Sequence, residues 1–455
     1  MRDSMNQPVR YTLAALAITA AVGGLAAAAE SPAPKRWAAP PEAPPSSAFL
    51  RLLPEGEEKR RFILDCTGCH VLDERIAFPG GRARTREEWE TAVHRMLGYA
   101  GAETPFPVIS ADRDPARTAA WLAASLHAPP KPPTPPALPA GAEVREYEIP
   151  EPRDLPHDLA VDGEGQVVIT GMMTGRMYRL DPATARIAII PIPVERANPR
   201  AVDIDREGRW WVLLGGPQKI AVHTPRTGEW AMHDIGMYPH SIGLAPGGRV
   251  WFNGHFTRDP ERIGYLDAAT GQVRTFDVPK HPTLAANGGP VPYDLQLAPD
   301  GRVWGSELQG NRVFGFDPRT GAFETHDMPA AWSGPRRMEF DARGRLWIPE
   351  YAANALTRFD PATKRFTRHA LPTPDALPYV VRVDRRRDRV WIGTGAADAV
   401  LRFDPATERF TTYPLPTRGA MVRHMAVDPR TGDLWIAYGA SPGPPAKVAR
   451  LRVAR

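Results

Sequence analysis

From residue 142 onward the chain repeats one pattern of apolar and polar positions. Each copy has a short apolar run ending in Asp or Pro, a turn with Gly, a run centred on Trp and a third run. Asp-Pro-x-Thr-Gly or a variant follows, then a last run ending near Pro. Phe340-Asp341-Ala342-Arg343-Gly344-Arg345-Leu346-Trp347 opens one copy, and Phe359-Asp360-Pro361-Ala362-Thr363 with 366–372 closes it. The central tryptophans fall at Trp211, Trp251, Trp304, Trp347, Trp391 and Trp435, with Val168 in that place in the first copy. The spacing is 40 to 44 residues except between Trp251 and Trp304, where 256–262 and 280–290 read as insertions. Four short strands per copy at this period describe a propeller blade. Six copies are complete, and a seventh stops after its third strand at about 447–453. Residues 143–150 look like the outer strands 366–372 and 410–416, and so supply the missing fourth strand at the front. The pattern predicts an all-β seven-bladed propeller over 142–453 (six and eight are the neighbouring counts), closed by pairing of its first and last strands. Such closure removes the exposed edges of a linear array. The repeated Trp, Asp-Pro and Gly residues read as packing and turn positions, not as chemistry.

Ahead of the repeats the periodicity becomes helical. Residues 49–127 predict a small all-α domain, so the chain reads as multidomain. One helix runs from about Glu55 into Cys66. A second, from about Thr85 to Leu97, carries Trp89, Val93, Met96 and Leu97 on its apolar face. A third starts at Ser110 as N-cap and reaches His127, with Trp121, Leu122 and Leu126 inward. Residues 128–141 are dominated by proline and predict a semi-rigid polyproline II linker. Residues 30–48 form a Pro/Ala-rich leader. Before them, Arg2 and Arg10 precede small apolar residues from Tyr11 to Ala29, ending in Ala27-Ala28-Ala29. That is the layout of a signal peptide over 1–29, with an uncleaved anchor as the alternative. The mature chain, about 425 residues long, is expected in the periplasm.

Composition adds one decisive feature. The only two cysteines stand in Cys66-Thr67-Gly68-Cys69-His70, the c-type haem attachment pattern. Each thiol adds across a haem vinyl group and His70 supplies the proximal imidazole. A structural zinc site needs further ligands of matching spacing, and a thioredoxin-type pair does not need the histidine. Met96 is the candidate sixth ligand, being the only methionine between this motif and the linker. His94 is its rival, and an open site is the third choice. The net charge of +5 is mild, and its one compact basic run, Arg385-Arg386-Arg387, reads as a solvated hairpin turn. No nucleic-acid motif is visible. Residues 49–127 resemble the single-haem class I cytochromes c, which implies one covalent haem c with His70 and Met96 as axial ligands of its iron.

The strands that enter a propeller's central channel break the repeat's uniformity. They begin with His157-Asp158, Arg200, His240, Tyr293-Asp294, Arg336-Arg337, Tyr379 and Arg423-His424. Such a ring suits an anion, a carboxylate-bearing ligand or a metal, or else lines a water-filled channel. His255, Glu307 and Glu350 follow the central tryptophans on the next strands. The two glutamates are expected to pair with the ring arginines, act as acid/base groups or bind a divalent cation.

The runs Leu346-Trp347-Ile348-Pro349-Glu350-Tyr351-Ala352-Ala353-Asn354-Ala355-Leu356 and Val303-Trp304-Gly305-Ser306-Glu307-Leu308-Gln309-Gly310-Asn311-Arg312-Val313 resemble the repeats of the virginiamycin B lyases. The resemblance implies seven blades and Mg²⁺-assisted elimination, with a histidine base and a glutamate in the closing blade. The corresponding positions here are Arg423 and Gly439, and a metal-side histidine corresponds to Tyr379. His424 is adjacent, but a one-residue shift on a strand turns it to the other face. His157, His240, Glu307 and Glu350 are the candidates for a relocated site.

Three readings follow. The first is a periplasmic electron-transfer protein whose propeller docks a redox partner protein or binds a substrate, such as a small anionic ligand, in its channel. The second is a Mg²⁺-dependent lyase, and the third a ligand- or redox-sensing binding protein.

Overall fold

The computed structural model describes residues 43–256, 260–281, 292–439 and 446–454. The expected signal peptide and most of the expected leader lie outside them. Among the described residues, twenty-eight strands, β1 (Ala142–Glu148) to β28 (Ala446–Val453), form seven four-stranded antiparallel sheets. Six sheets each take four consecutive strands. The seventh is ordered β1, β28, β27 (Leu434–Gly439), β26 (Val422–Val427). β1 pairs with β28 from Ala142 opposite Val453 to Glu148 opposite Lys447, so the ring closes through its two ends as the repeat count predicts.

The repeat residues do structural work. Asp341 accepts hydrogen bonds from the backbone N–H groups of Arg343 and Arg345 and from the Trp347 indole at 3.0 Å. Asp205 caps the equivalent turn and accepts from Trp211 at 2.8 Å. The tryptophans then reach the next blade. Trp304 lies 5.4 Å from Phe359 and Trp347 5.5 Å from Phe403, centroid to centroid. Six innermost strands carry a register shift near their first residues, for example between Pro156 and Leu159 and between Val422 and His424. A bulge re-aims the side chains at a strand end, and these are the residues that meet on the axis.

Among the described residues, five α-helices precede the propeller: α1 (Ser46–Leu50), α2 (Glu57–Cys66), α3 (Glu74–Ala77), α4 (Arg86–Ala100) and α5 (Pro115–Ser125). α4 begins with a capping box between Thr85 and Glu88. α5 does not start at Ser110. Asp114 caps it, because Pro115 suits a first helical position, and the Ser110 hydroxyl donates instead to Asp65 at 2.8 Å. The described residues also begin within the expected leader, at residue 43. α1 is buried throughout, and the Ser47 N–H donates to the Ala396 carbonyl at 2.8 Å.

The helices are not a separately cored lobe. Phe49, Leu53, Ile63, Leu72, Trp89 and Leu122 belong to one apolar cluster with Tyr351, Leu377, Tyr379 and Met421 of the propeller. Lys59 on α2 is 2 % exposed and meets Asp375 of the propeller at 2.8 Å. Gly334, at φ 65°, approaches α2 so closely that an added Cβ would lie 2.2 Å from Leu64. No helix among the described residues is long and apolar enough to cross a membrane.

Candidate functional site

Two cavities flank the turn that ends α2. On its outer side, Cys66, His70 and Met96 line one cavity together with Phe62, Leu72 and Trp89. The cavity is mostly apolar, encloses about 130 Å³ and opens to solvent. Its wall from α4 is lightly anchored, since only Trp89 and Val93 of that helix are buried. His94 is not part of it; its side chain is 63 % exposed and lies 4.0 Å from Glu90. Cys69 is exposed, and the His70 ring faces the Val71 carbonyl at 3.2 Å. Burial pushes the Cys66 thiol up to about 12, with Asp65 adding to it. That is the opposite of the low value a redox-active dithiol requires. Asp65 is itself buried and bridged to Arg113 at 2.7 Å.

The propeller holds the inner side of the same turn. Arg423 donates to the Gly68 and Cys69 carbonyls, each at 2.7 Å. The Tyr351 hydroxyl donates to the Thr67 carbonyl at 2.9 Å. Gly68 packs against Arg336: a Cβ there would lie 3.2 Å from a guanidinium nitrogen, a tight contact. Neither Tyr351 nor Lys59 was distinguishable in sequence, because an isolated tyrosine or lysine carries no signal of an interdomain partner.

The ring residues expected at the axis do converge. His157 pairs through Nδ1 with the Arg200 carbonyl at 2.7 Å, and His240 with the Tyr293 carbonyl at 2.7 Å. The His240 ring lies 5.5 Å from His157 and 4.5 Å from His255. All three imidazoles are held well below their ordinary value, first by burial and then by neighbouring positive groups, so they are neutral. The Tyr293 and Tyr379 hydroxyls hydrogen-bond to each other. Burial raises the Tyr293 phenol, whereas at Tyr379 the arginines 423, 336 and 337 outweigh burial and draw the phenol down.

The strand bulge separates Arg423 from its neighbour. His424 turns away from the helices and contacts Asp158 at 2.8 Å. Asp158 also binds Arg337 at 2.8 Å. Burial pulls the His424 imidazole down to about 3, so this contact is a hydrogen bond between a neutral ring and a carboxylate and not an ion pair. These residues line a second channel mouth of about 570 Å³, together with Asp203, Asp294 and Arg382.

Glu307 and Glu350 do not meet the ring arginines. Glu307 pairs with Arg312, and Glu350 with Thr357 and with Arg368 at 3.0 Å. The reason is register: Arg312 stands directly opposite Glu307 on the next strand outward, and Arg368 lies two strands out from Glu350. Burial raises the Glu307 carboxyl to about 7. Among the described residues no group of three or more His, Cys, Asp or Glu is placed to hold a metal ion. Of the three positions where the lyase resemblance implies a catalytic constellation, Arg423 is bonded to the Cys-x-x-Cys-His turn. Tyr379 lies beside Arg423, and Gly439 has no side chain.

Residues 281–442 match the model of the virginiamycin B lyase family. No curated protein matches the chain. Among solved structures, selenomethionine-substituted virginiamycin B lyase from Staphylococcus aureus is 21% identical with a TM-score of 0.61, over 69% of this chain and 100% of that one. A streptogramin B lyase is 22% identical with a TM-score of 0.60, over 69% and 98% of the two chains. Kuenenia stuttgartiensis hydrazine synthase is 13% identical with a TM-score of 0.54, over 68% and 97%. At these identities the likeness is one of fold: the chain carries a virginiamycin B lyase-like seven-bladed propeller.

Proposed function

We infer that the protein is a periplasmic c-type cytochrome that transfers electrons, with its propeller serving as the scaffold that fixes the haem-attachment turn. One observation carries this reading: Cys66, His70 and Met96 line a single apolar cavity while the backbone of the same turn is bonded to the propeller. The donor types suit a covalently held haem, with two thiols and an imidazole on one turn and a thioether on α4, but a cavity of about 130 Å³ is far smaller than the macrocycle, so its walls have to part to admit one. Bound there, the haem would supply one-electron chemistry, and thioether ligation would raise its reduction potential. Cys66, on the cavity, and Cys69, which lies toward a chamber behind the turn and would have to swing round, would hold it by thioether bonds, and His70 and Met96 would ligate its iron. Phe62, Leu72 and Trp89 give that side of the cavity an apolar lining. Arg423 and Tyr351 hold the turn's carbonyls, so the attachment residues keep one orientation. Lyase chemistry is the weaker reading, because Arg423 and Tyr379 occupy its positions and Arg423 is committed to the turn.

The test is expression in a periplasm equipped for c-type maturation, followed by mass analysis of the purified chain. One covalent haem per chain is expected, lost in Cys66→Ser/Cys69→Ser. A chain with no haem under conditions that mature a control cytochrome overturns the reading. Met96→His should keep the haem and lower its reduction potential, whereas His94→Leu should leave the potential unchanged.

A further inference from the structure

Behind the Cys-x-x-Cys-His turn, between it and the propeller axis, lies a third cavity of about 150 Å³. Gly68 and Cys69 form one side of it, and Arg200, Arg336, Arg423 and His255 the other. Its charge is unbalanced. Arg336 and Arg423 are 2 % and 4 % exposed, yet neither meets a carboxylate. Arg336 donates to the Tyr293 hydroxyl at 2.7 Å and stacks over Tyr351 at 3.8 Å. Arg423 spends its two terminal nitrogens on the Gly68 and Cys69 carbonyls and the Tyr379 hydroxyl. Arg200 reaches only the Met172 sulfur and the face of Tyr238. The Nε atoms of all three arginines are buried without a hydrogen-bond partner. The buried acids Asp158 and Asp294 line the opposite mouth, and Asp158 is taken by Arg337 and His424. Buried cations are costly unless paired, and guanidinium groups match oxyanions and carboxylates in geometry. A cavity of this volume holds a ligand of about six heavy atoms, the size of benzene.

We propose that this chamber binds one small anion, an inorganic oxyanion or a short carboxylate, between Arg200, Arg336 and Arg423 and the back of the Gly68–Cys69 turn. The anion completes a charge set that the chain leaves open. It also places a negative charge beside the turn that carries the attachment cysteines.

Titration calorimetry on the full-length protein tests this, with nitrate, sulfite and phosphate as the oxyanion arm and formate and acetate as the carboxylate arm. One arm should bind at one site per chain, and the arm that binds names the source. Arg200→Gln should weaken that binding at least tenfold. Arg423→Lys keeps a cation and should weaken it less than Arg423→Gln. Thermal unfolding checks each variant for folding, and added anion should raise the midpoint of the parent but not of Arg200→Gln. No binding by either arm at millimolar anion overturns the proposal, as does binding that Arg200→Gln and Arg423→Gln leave unchanged while both variants are folded. These arms do not depend on haem. A further arm rests on the electron-transfer reading: tenfold tighter binding to the oxidised protein would lower the reduction potential by 59 mV. Its failure with calorimetric binding intact would count against that coupling alone.

Discussion

At the scale of single residues, one buried carboxylate ties a turn to an indole while another weakens the fold as it ionises. Asp341 was readable only as a turn residue, yet it joins two backbone N–H groups, Arg345 and the buried Trp347 indole. Asp341→Ala would leave that indole without a partner and should cost about 3 kcal/mol, measured as a lowered urea midpoint with unchanged slope. Asp203, at the open channel mouth, behaves oppositely. Burial, with Asp158 nearby, raises its carboxyl from 3.8 to about 6. A folded value above the unfolded one means the folded chain binds more protons in that interval, so this group's contribution falls as pH rises from about 4 to 6. Asp203→Asn keeps an acceptor for the Ile204 N–H and removes the charge. It should stabilise the protein at pH 7 by about 1 kcal/mol and have no effect below pH 4, read from denaturation at the two pH values.

At the scale of elements, the strands were the more legible part because their pattern repeats seven times and errors in one copy are corrected by the others. The helices appear once each. α5 was therefore misplaced at its start, where Asp114-Pro115 outcompetes Ser110 as a terminus. The partners of Glu307 and Glu350 were also out of reach. Sequence shows that a glutamate ends each second strand, but only the register sets Arg312 and Arg368 against them. α4 buries little of itself, with Trp89 and Val93 its fully buried residues. It should respond to what fills the cavity beside it. Hydrogen exchange over 88–100 should slow at least tenfold when the haem-loaded chain is compared with Cys66→Ser/Cys69→Ser, while β27 stays equally protected in both. β1 makes a separate case. Without 142–148 the edge of β28 is left unpaired, and an unpaired edge templates association. The truncated chain should elute as aggregate in size-exclusion chromatography.

At the scale of the molecule, the two predicted parts form one unit, and that was the least legible feature. The proline-rich linker is compatible with many arrangements, and nothing in either part names the surface of the other. The interface is made of scattered residues: Lys59 with Asp375, Arg60 with the Ala331 carbonyl at 2.9 Å, and Phe106 at 5.7 Å from Tyr238. Lys59→Ala leaves Asp375 without its cation and should cost about 3 kcal/mol. A protease site placed in the linker tests the interface directly. After cleavage the helical part should co-elute with the propeller, and in the Lys59→Ala/Arg423→Ala double variant it should separate.

Arg423 also sets an order in time. It belongs to the last blade, closed only when β28 pairs with β1, yet it covers a turn made more than 350 residues earlier. In a chain that emerges N-terminus first, the cysteines are therefore open to modification throughout synthesis. The bonds from Arg423 to the turn's carbonyls form only when the last blade does, so the earliest motif is fixed in place by the latest strands.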